Sequence, residues 1–502
     1  MKKIKLSQVK LGAMISYLAL GVNILAGLLY TPWMVDKIGQ SNYGLYTLAN
    51  SLIGIFMLDF GLGSAVSRFV SKYRAEGDLK GANNIMGLIY KLYFAIDAVI
   101  FVVLAVLFFF LEAIYTKLTP AELDLFRVLY VIVAGFNVVS FPCAPLNGVL
   151  NSYEKFIQLK SCDLFHKLFT VVCVVIALNF SNSVVLVVAA NVASSLLTIL
   201  IKLVIVKSTV PLKANLRASG ADLYKTLFGF TVWTAIINIM QRFTHSFAPS
   251  VLGMTASSLE IAVYAPAVTL EGYFYALSMA VNGLFLPRVS RHIANREEDK
   301  ILPLMVKVGR YQILFLGLVF VGFVCVGRDF MVLWMGPEYE KTYYCTMIIL
   351  LPTLISASMQ IAGTTVIAKN LIRYQAIWMI ISGTIGLALS YVLSIYVGAI
   401  GVCIGTATTA LANTVFNNVI YKKKAGINMM EFYKKCYPRA IPVYGVALAF
   451  GFLVLPLVPL TGWLGLVVKA AMLAAVFLAM CLVCGLTAAE RKGLFDKLLR
   501  RG

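Results

Sequence analysis

The sequence predicts an all-α polytopic membrane protein. It has fourteen transmembrane helices, in two six-helix bundles forming a pseudo-two-fold repeat, with two more helices at the C-terminus. Three observations lead there. Of the 502 residues, 60% are hydrophobic and 13% charged, at a mean hydropathy of +0.87, against roughly 45–50% apolar and about 25% charged in a soluble domain. Basic residues crowd into every second gap between the apolar runs. Weak internal matches recur at a near-constant spacing.

A bilayer core of about 30 Å is crossed by roughly 20 apolar residues of helix, which sets the element size. Lys2, Lys3, Lys5 and Lys10 lead into the first span, 11–35. It has no small-residue cleavage site and is expected to be retained rather than removed as a signal peptide. Spans follow at 43–66, 85–111 and 123–150. Spans at 160–180 and 183–206 are cut apart by the turn signal Asn179-Phe-Ser-Asn-Ser183. The second bundle begins with 225–252, 260–286, 304–326 and 343–367, then 376–397 and 399–420, divided at Val397-Gly-Ala-Ile-Gly401. The last pair, 440–459 and 463–486, is divided at Pro459-Leu-Thr-Gly462. The domain plan is therefore 1–206, 225–420, 440–486 and a basic tail, 487–502.

Charge orients the chain. With a cytoplasmic N-terminus, the inside gaps carry 34 Lys and Arg, and the outside gaps carry four: Lys37, Lys117, Arg328 and Lys341. One missed or invented mid-chain span would erase that ratio, so both termini are expected in the cytoplasm. The net charge of +21 thus reflects topology, and nucleic acid is not an expected partner. The basic inner loops, such as Lys422-Lys-Lys424, also suit anionic lipid headgroups. The longest gap, 421–439, is too short for a soluble catalytic domain, and outer loops reach only about 16 residues (327–342). An enzyme is not expected. The nine cysteines lie mostly within apolar segments, and the single Cys481-x-x-Cys484 has no second pair to complete a zinc site. No cofactor or metal is expected.

The repeat rests on several weak matches in a shared order. Asn23 answers Asn238, Pro32 answers Pro249, Gly39 answers Gly253, and Lys80 answers Lys300, at offsets from 214 to 220. Both halves start inside and hold an even number of helices, so the copies are parallel, with a substrate path expected between the bundles near the midplane.

Val35-Asp-Lys-Ile-Gly39, Asn42-Tyr-Gly-Leu-Tyr46 and Leu58-Asp-Phe-Gly-Leu-Gly-Ser-Ala-Val-Ser-Arg68 carry a family resemblance. With the 6+6+2 plan, the chain resembles the polysaccharide transporters, or oligosaccharide-lipid flippases of Wzx type, of the multidrug/oligosaccharidyl-lipid/polysaccharide exporter superfamily. The resemblance implies translocation of an undecaprenyl-diphosphate-linked oligosaccharide from the cytoplasmic to the periplasmic leaflet of a bacterial inner membrane. Other polysaccharide-assembly proteins are implied partners. Within the same superfamily, a cation-coupled multidrug antiporter and a lipid-linked peptidoglycan precursor flippase are the alternatives.

A charge at the bilayer centre costs at least about 2.5–3.5 kcal/mol on insertion scales, so each needs a reason. Lys91 can snorkel to the cytoplasm and Arg127 to the outside, while Asp163 and Lys167 stand at i,i+4. Arg242 and Glu271 each lie about 14 residues from the hairpin centre at 256–257, roughly 20 Å deep. They either pair between helices or line a wet cavity. His245, Gln241 and Asn238 extend a polar stripe beside Arg242, with Asn23 as the counterpart in span 1. Such a stripe suits a diphosphate and sugar hydroxyls, since Arg offers a permanent fork of donors to phosphate oxygens. Asp59 and Asp97 are mid-span acids. They are candidates for H⁺ or Na⁺ coupling or for helix-to-helix hydrogen bonds.

Overall fold

The computed structural model describes residues 2–56, 62–218, 232–233, 235–240, 242–243, 246–282, 285–369, 371–488 and 490–491. Among these, every regular element is helical. Nine helices are long and apolar enough to cross a membrane, and a tenth span is made by Pro337–Ala357 with Gln360–Ala368, bent by 56°. These ten coincide with the predicted spans 3–6 and 9–14. Predicted span 1 lies within α1 (Lys2–Ile38). Spans 2, 7 and 8 each include residues outside those described. Only 22% of the apolar window of Leu79–Ile114 is buried, and 17% of that of Gly462–Gly485. Helices this apolar with so little burial have lipid as their remaining surroundings. The protein is a multi-pass membrane protein.

The chain divides into two compact units, Met1–Ala265 with Leu387–Val402, and Pro266–Gly386 with Cys403–Gly502. In the first unit, α1 is followed by α2 (Gln40–Phe56), α3 (Leu62–Glu76), α4 (Leu79–Ile114), α5 (Pro120–Ser140), α6 (Pro145–Ser152), α7 (Phe156–Phe180), α8 (Val184–Thr209) and α9 (Ala248–Thr255). Local chemistry sets several boundaries. Asp78 caps α4 by accepting from Gly81 N at 2.8 Å. At α5, Thr119 and Glu122 form a capping box behind Pro120, so the first backbone donors are satisfied before the helix enters apolar surroundings. The predicted turn at 179–183 is the break at 181–183 between α7 and α8. The core of this unit holds Leu45, Leu48, Phe126 and Leu129, each fully buried.

Helix α10 (Ser258–Asn282) starts in the first unit and passes into the second at Ala265–Pro266. The second unit continues with α11 (Leu286–Ala294), α12 (Ile301–Met335), α13 (Glu340–Ala357), α14 (Gln360–Ala368), α15 (Ile372–Val397), α16 (Ala399–Lys423), α17 (Met429–Cys436), α18 (Ala440–Leu453) and α19 (Gly462–Met480). The tip of the α15–α16 hairpin, Leu387–Val402, returns to the first unit. Gly398 makes its turn, with φ at 58°, where the sequence placed it. The long α12 is the axis of the second core, packed against α13 and the C-terminal helices. An ion pair ties it down: Arg310 Nη1 lies 2.9 Å from Glu490 Oε2, with side chains 8% and 12% exposed.

One junction in the first unit joins segments far apart in sequence. Glu122 Oε1 accepts from Ser41 Oγ at 2.6 Å and also from Ser258 Oγ, and the two hydroxyls are 3.1 Å apart. Ser41 and Ser258 are separated by 217 residues, inside the range of the internal matches. Nearby, Thr255 meets Ser394 at 2.7 Å, and Glu260 Oε2 accepts from Ala399 N at 2.7 Å. The helices come this close because Gly44 has no side chain. A Cβ there would overlap the Ser258 carbonyl.

Candidate functional site

The sequence-derived candidates occupy varied surroundings. Asn23 is half-buried on α1, Asn238 is half-buried in the helical stretch 235–240, and Arg242 is exposed. Gln241, His245 and Asp59 lie outside the described residues. Glu271 is on α10 in the second unit, where its Oε1 accepts from Thr353 Oγ1 of α13 at 2.9 Å. Arg242 belongs to the first unit. Asp97 is buried on α4 at 9% exposure, and its Oδ1 has no hydrogen-bond partner.

Other intramembrane charges have partners close by. Lys91 Nζ donates to the Ala218 carbonyl at 2.8 Å, and Arg127 bridges Glu112 and Asp124 at 3.0 and 2.8 Å. Asp163 differs from expectation. It pairs with Lys202 of α8 at 3.2 Å and Lys160 at 3.3 Å rather than with Lys167. The α7–α8 hairpin brings a cation from the neighbouring helix, which spacing along one helix cannot reveal.

The first unit holds a cavity of about 820 Å³ that sequence reasoning did not single out. One wall is α3. Ser64, Ser67, Arg68 and Ser71 fall at i, i+3, i+4 and i+7 and so share a face lining the cavity, while Ala65, Val66, Phe69 and Val70 are buried behind them. The opposite wall is α6, with Asn147 and Asn151 one turn apart. Gly148 lets the walls meet, because a Cβ there would stand 2.7 Å from the Gly63 carbonyl oxygen. Arg74 staples one end, donating to the Ser152 carbonyl at 2.6 Å and pairing with Glu154 at 3.3 Å. Tyr93 of α4 and Phe141 close the back, their rings 5.1 Å apart.

A second cavity of about 390 Å³ shares Ala144 and Asn147 with the first. It is lined by polar residues of α2, α5, α7 and α8, among them Asn50, Ser140, His166, Asn191, Thr198 and Lys202. Lys202 Nζ donates to Asn147 Oδ1 at 3.1 Å, His166 Nδ1 meets Thr198 Oγ1 at 3.3 Å, and Asn191 Nδ2 donates to the Tyr46 hydroxyl at 3.2 Å. Arg68 and Lys202 are the cations of the two cavities, and no carboxylate is among the lining residues described. The signal for the first cavity was present in the segment 58–68, read in the sequence as a family motif. Gly63, Ser64, Ser67 and Arg68 all line it. Among the described residues, no group of three or more His, Cys, Asp or Glu is gathered as a metal site would require.

The sequence model of the polysaccharide biosynthesis protein family matches residues 10–292, more than half of the chain. The chain belongs to this family. The matched residues include both cavities. No curated protein matches the sequence. Among solved structures, the lipid II flippase MurJ in an inward closed conformation matches with a TM-score of 0.68 at 13% identity, covering 94% of this chain and 98% of that one. A multidrug resistance MATE family transporter of the MOP superfamily, inward-facing, matches with a TM-score of 0.66 at 13% identity, covering 82% and 98%. A MOP superfamily transporter from Pyrococcus furiosus, described as having a binding pocket of reverse polarity, matches at 0.55 and 15% identity, covering 84% and 96%. These likenesses show that the family member has the fold of such transporters.

Proposed function

We propose that this protein is a flippase that moves an undecaprenyl-diphosphate-linked oligosaccharide from the cytoplasmic to the periplasmic leaflet of a bacterial inner membrane, for O-antigen, capsule or exopolysaccharide synthesis. It does so by alternating access of two six-helix bundles, within a fourteen-helix chain whose termini are cytoplasmic. The observation that carries the reading is the Arg68 cavity, an arginine among serine hydroxyls and asparagine amides inside a membrane-embedded member of a polysaccharide biosynthesis family. A diphosphate crossing hydrocarbon needs a cation that stays charged and a lining that replaces water at its oxygens. The lipid tail stays in the bilayer, so only the headgroup has to be enclosed. The basic inner loops face anionic lipid headgroups, and proteins of the same assembly line supply the substrate and consume the product.

Arg242, with His245, Gln241, Asn238, Asn23 and Glu271, is the second set assigned to the headgroup, and Asp97 and Asp59 are the acids assigned to H⁺ or Na⁺ coupling. The Ser41–Glu122–Ser258 junction closes the periplasmic end in this arrangement, since in the fourteen-helix topology all three residues lie at outer helix ends. A multidrug antiporter for cationic compounds would need acidic groups in its cavity. The Arg68 and Lys202 linings run against it.

The test is transport of fluorescent undecaprenyl-diphosphate oligosaccharide in proteoliposomes by wild type, Arg68→Gln and Arg242→Gln. Translocation by wild type and its loss in Arg68→Gln, at equal reconstitution, is the expected result. Full activity in both variants would remove the assigned sites. Export of a cationic dye, with no flipping by any of the three, would overturn the flippase reading.

A further inference from the structure

A charged cluster with more than one ion pair borders the smaller cavity through Lys202. Asp163 is shared by two ammonium groups, Lys202 at 3.2 Å and Lys160 at 3.3 Å, so the three groups carry a net positive charge. Lys202 is 12% exposed and lines the cavity. An ammonium has three N–H donors, and the acceptors identified for Lys202 are Asn147 and Asp163. The rest of the lining is amide and hydroxyl set among apolar side chains such as Val188, Val192 and Ile199. That mixture suits a pyranose, with polar groups for its hydroxyls and apolar walls for its C–H faces. The volume falls within the ordinary range of small-ligand pockets, about 300–1,000 Å³. Asn147 lines both cavities, so the smaller one adjoins the Arg68 cavity.

We propose that the smaller cavity is a subsite for an anionic sugar, a uronic acid or a sugar with an equivalent carboxylate, next to the diphosphate of the lipid-linked glycan, and that Lys202 is its cation. This rests on the flippase reading for the identity of the lipid-linked ligand. The carboxylate takes the remaining Lys202 donor and neutralises the excess charge of the Lys160–Asp163–Lys202 cluster. A neutral hexose at the same place offers Lys202, 12% exposed, no anionic acceptor.

The test uses the full-length purified protein and two synthetic ligands with a short prenyl diphosphate carrying a disaccharide. In one, the sugar next to the phosphate is a hexuronic acid, and in the other it is the matching hexose. Titration calorimetry with wild type is expected to show the uronate ligand binding roughly tenfold tighter or better, the size of one charge-assisted contact. In Lys202→Met the uronate-to-hexose preference is expected to vanish, and Lys202→Arg is expected to retain it. Should Lys202→Met fold poorly with Asp163 left behind, Lys202→Met/Asp163→Asn removes both charges and is expected to show the same loss. Equal affinity for the two ligands in wild type, or a preference that survives in Lys202→Met, would overturn the subsite. Proteoliposome flipping of the same ligands keeps the two ideas separate. A Lys202-dependent binding preference without flipping leaves the subsite standing and removes the flippase reading. Flipping of both ligands without preference does the reverse.

Discussion

Gly44→Ala tests the closest helix approach in the first unit. A methyl group at Gly44 would overlap the Ser258 carbonyl oxygen and stand 2.8 Å from its carbon, where carbon atoms in contact prefer about 3.5–4.0 Å. The neighbour is backbone and cannot rotate away, so α2 and the start of α10 have to separate by at least about 0.7 Å. Overpacking of this kind costs about 1–3 kcal/mol. The separation also stretches the hydrogen bond from Ser258 to the Glu122 carboxylate, a contact type worth about 1.5–3 kcal/mol. Together these come to about 2.5–6 kcal/mol, a shift of roughly 10²–10⁴ in any equilibrium between forms with and without this contact. Hydrogen exchange read by mass spectrometry reports it directly. Peptides covering 39–46 and 255–262 should exchange at least about a hundredfold faster in the variant, while peptides of the second-unit core around α12 should not change. Unaltered exchange at 255–262, together with an unaltered melting temperature, would refute the claim that this glycine sets the approach.

Three further outcomes follow from other contacts. With the native cysteines replaced, Ser41→Cys/Ser258→Cys should oxidise to a disulfide, since the two hydroxyls are 3.1 Å apart, and should stop transport until a reductant is added; equal transport by the oxidised and reduced protein would mean the junction never parts. Burial pushes the Glu490 carboxyl up, but the Thr487 backbone and hydroxyl together with Arg310 hold it below its ordinary value of 4.5. A lowered folded value gives stability that is present above 4.5 and lost as pH falls through the folded value. Glu490→Gln should therefore cost about 1.5–3 kcal/mol at neutral pH, the size of a hydrogen bond to a charged group, and its melting curve should converge with wild type in acid; a constant gap down to pH ~3 would count against the pair. Asp97→Leu removes a buried carboxyl whose Oδ1 has no partner, so thermal stability should hold or rise by about 1–3 kcal/mol, and a fall in melting temperature would contradict this.

The sequence made the helical plan readable where a chain-local signal existed. The breaks at 181–183 and 398 sit where Asn-Phe-Ser-Asn-Ser and Gly interrupt apolar runs, because a turn needs residues that leave the helix cheaply. The Arg68 cavity was harder to see. Arg68 falls in an inside gap with the basic residues that orient the chain, and nothing in its own helix distinguishes an arginine at the membrane surface from one lining a cavity. The Ser64, Ser67, Arg68 and Ser71 spacing was there to read, but its meaning depends on α6 arriving opposite, which Gly148 permits. Asp163 shows the same limit. Its i+4 neighbour was the obvious partner, yet the hairpin supplied Lys202 from 39 residues away.

Under the proposed alternating access, the meeting of Ser41 and Ser258 on Glu122 bears on how the junction opens and recloses. Matching serines come from both halves of the chain, but the carboxylate comes from one. Glu122 is also bonded through its other oxygen to the backbone and hydroxyl of Thr119 at 2.9 Å, so it has a home on α5 with or without the serines. Parting the junction therefore hands two hydroxyls and one carboxylate oxygen to water, all groups that hydrate readily, and strands no charge in hydrocarbon. In the proposed cycle such a fastener reforms in register each time, because Glu122 stays held on α5 by Thr119.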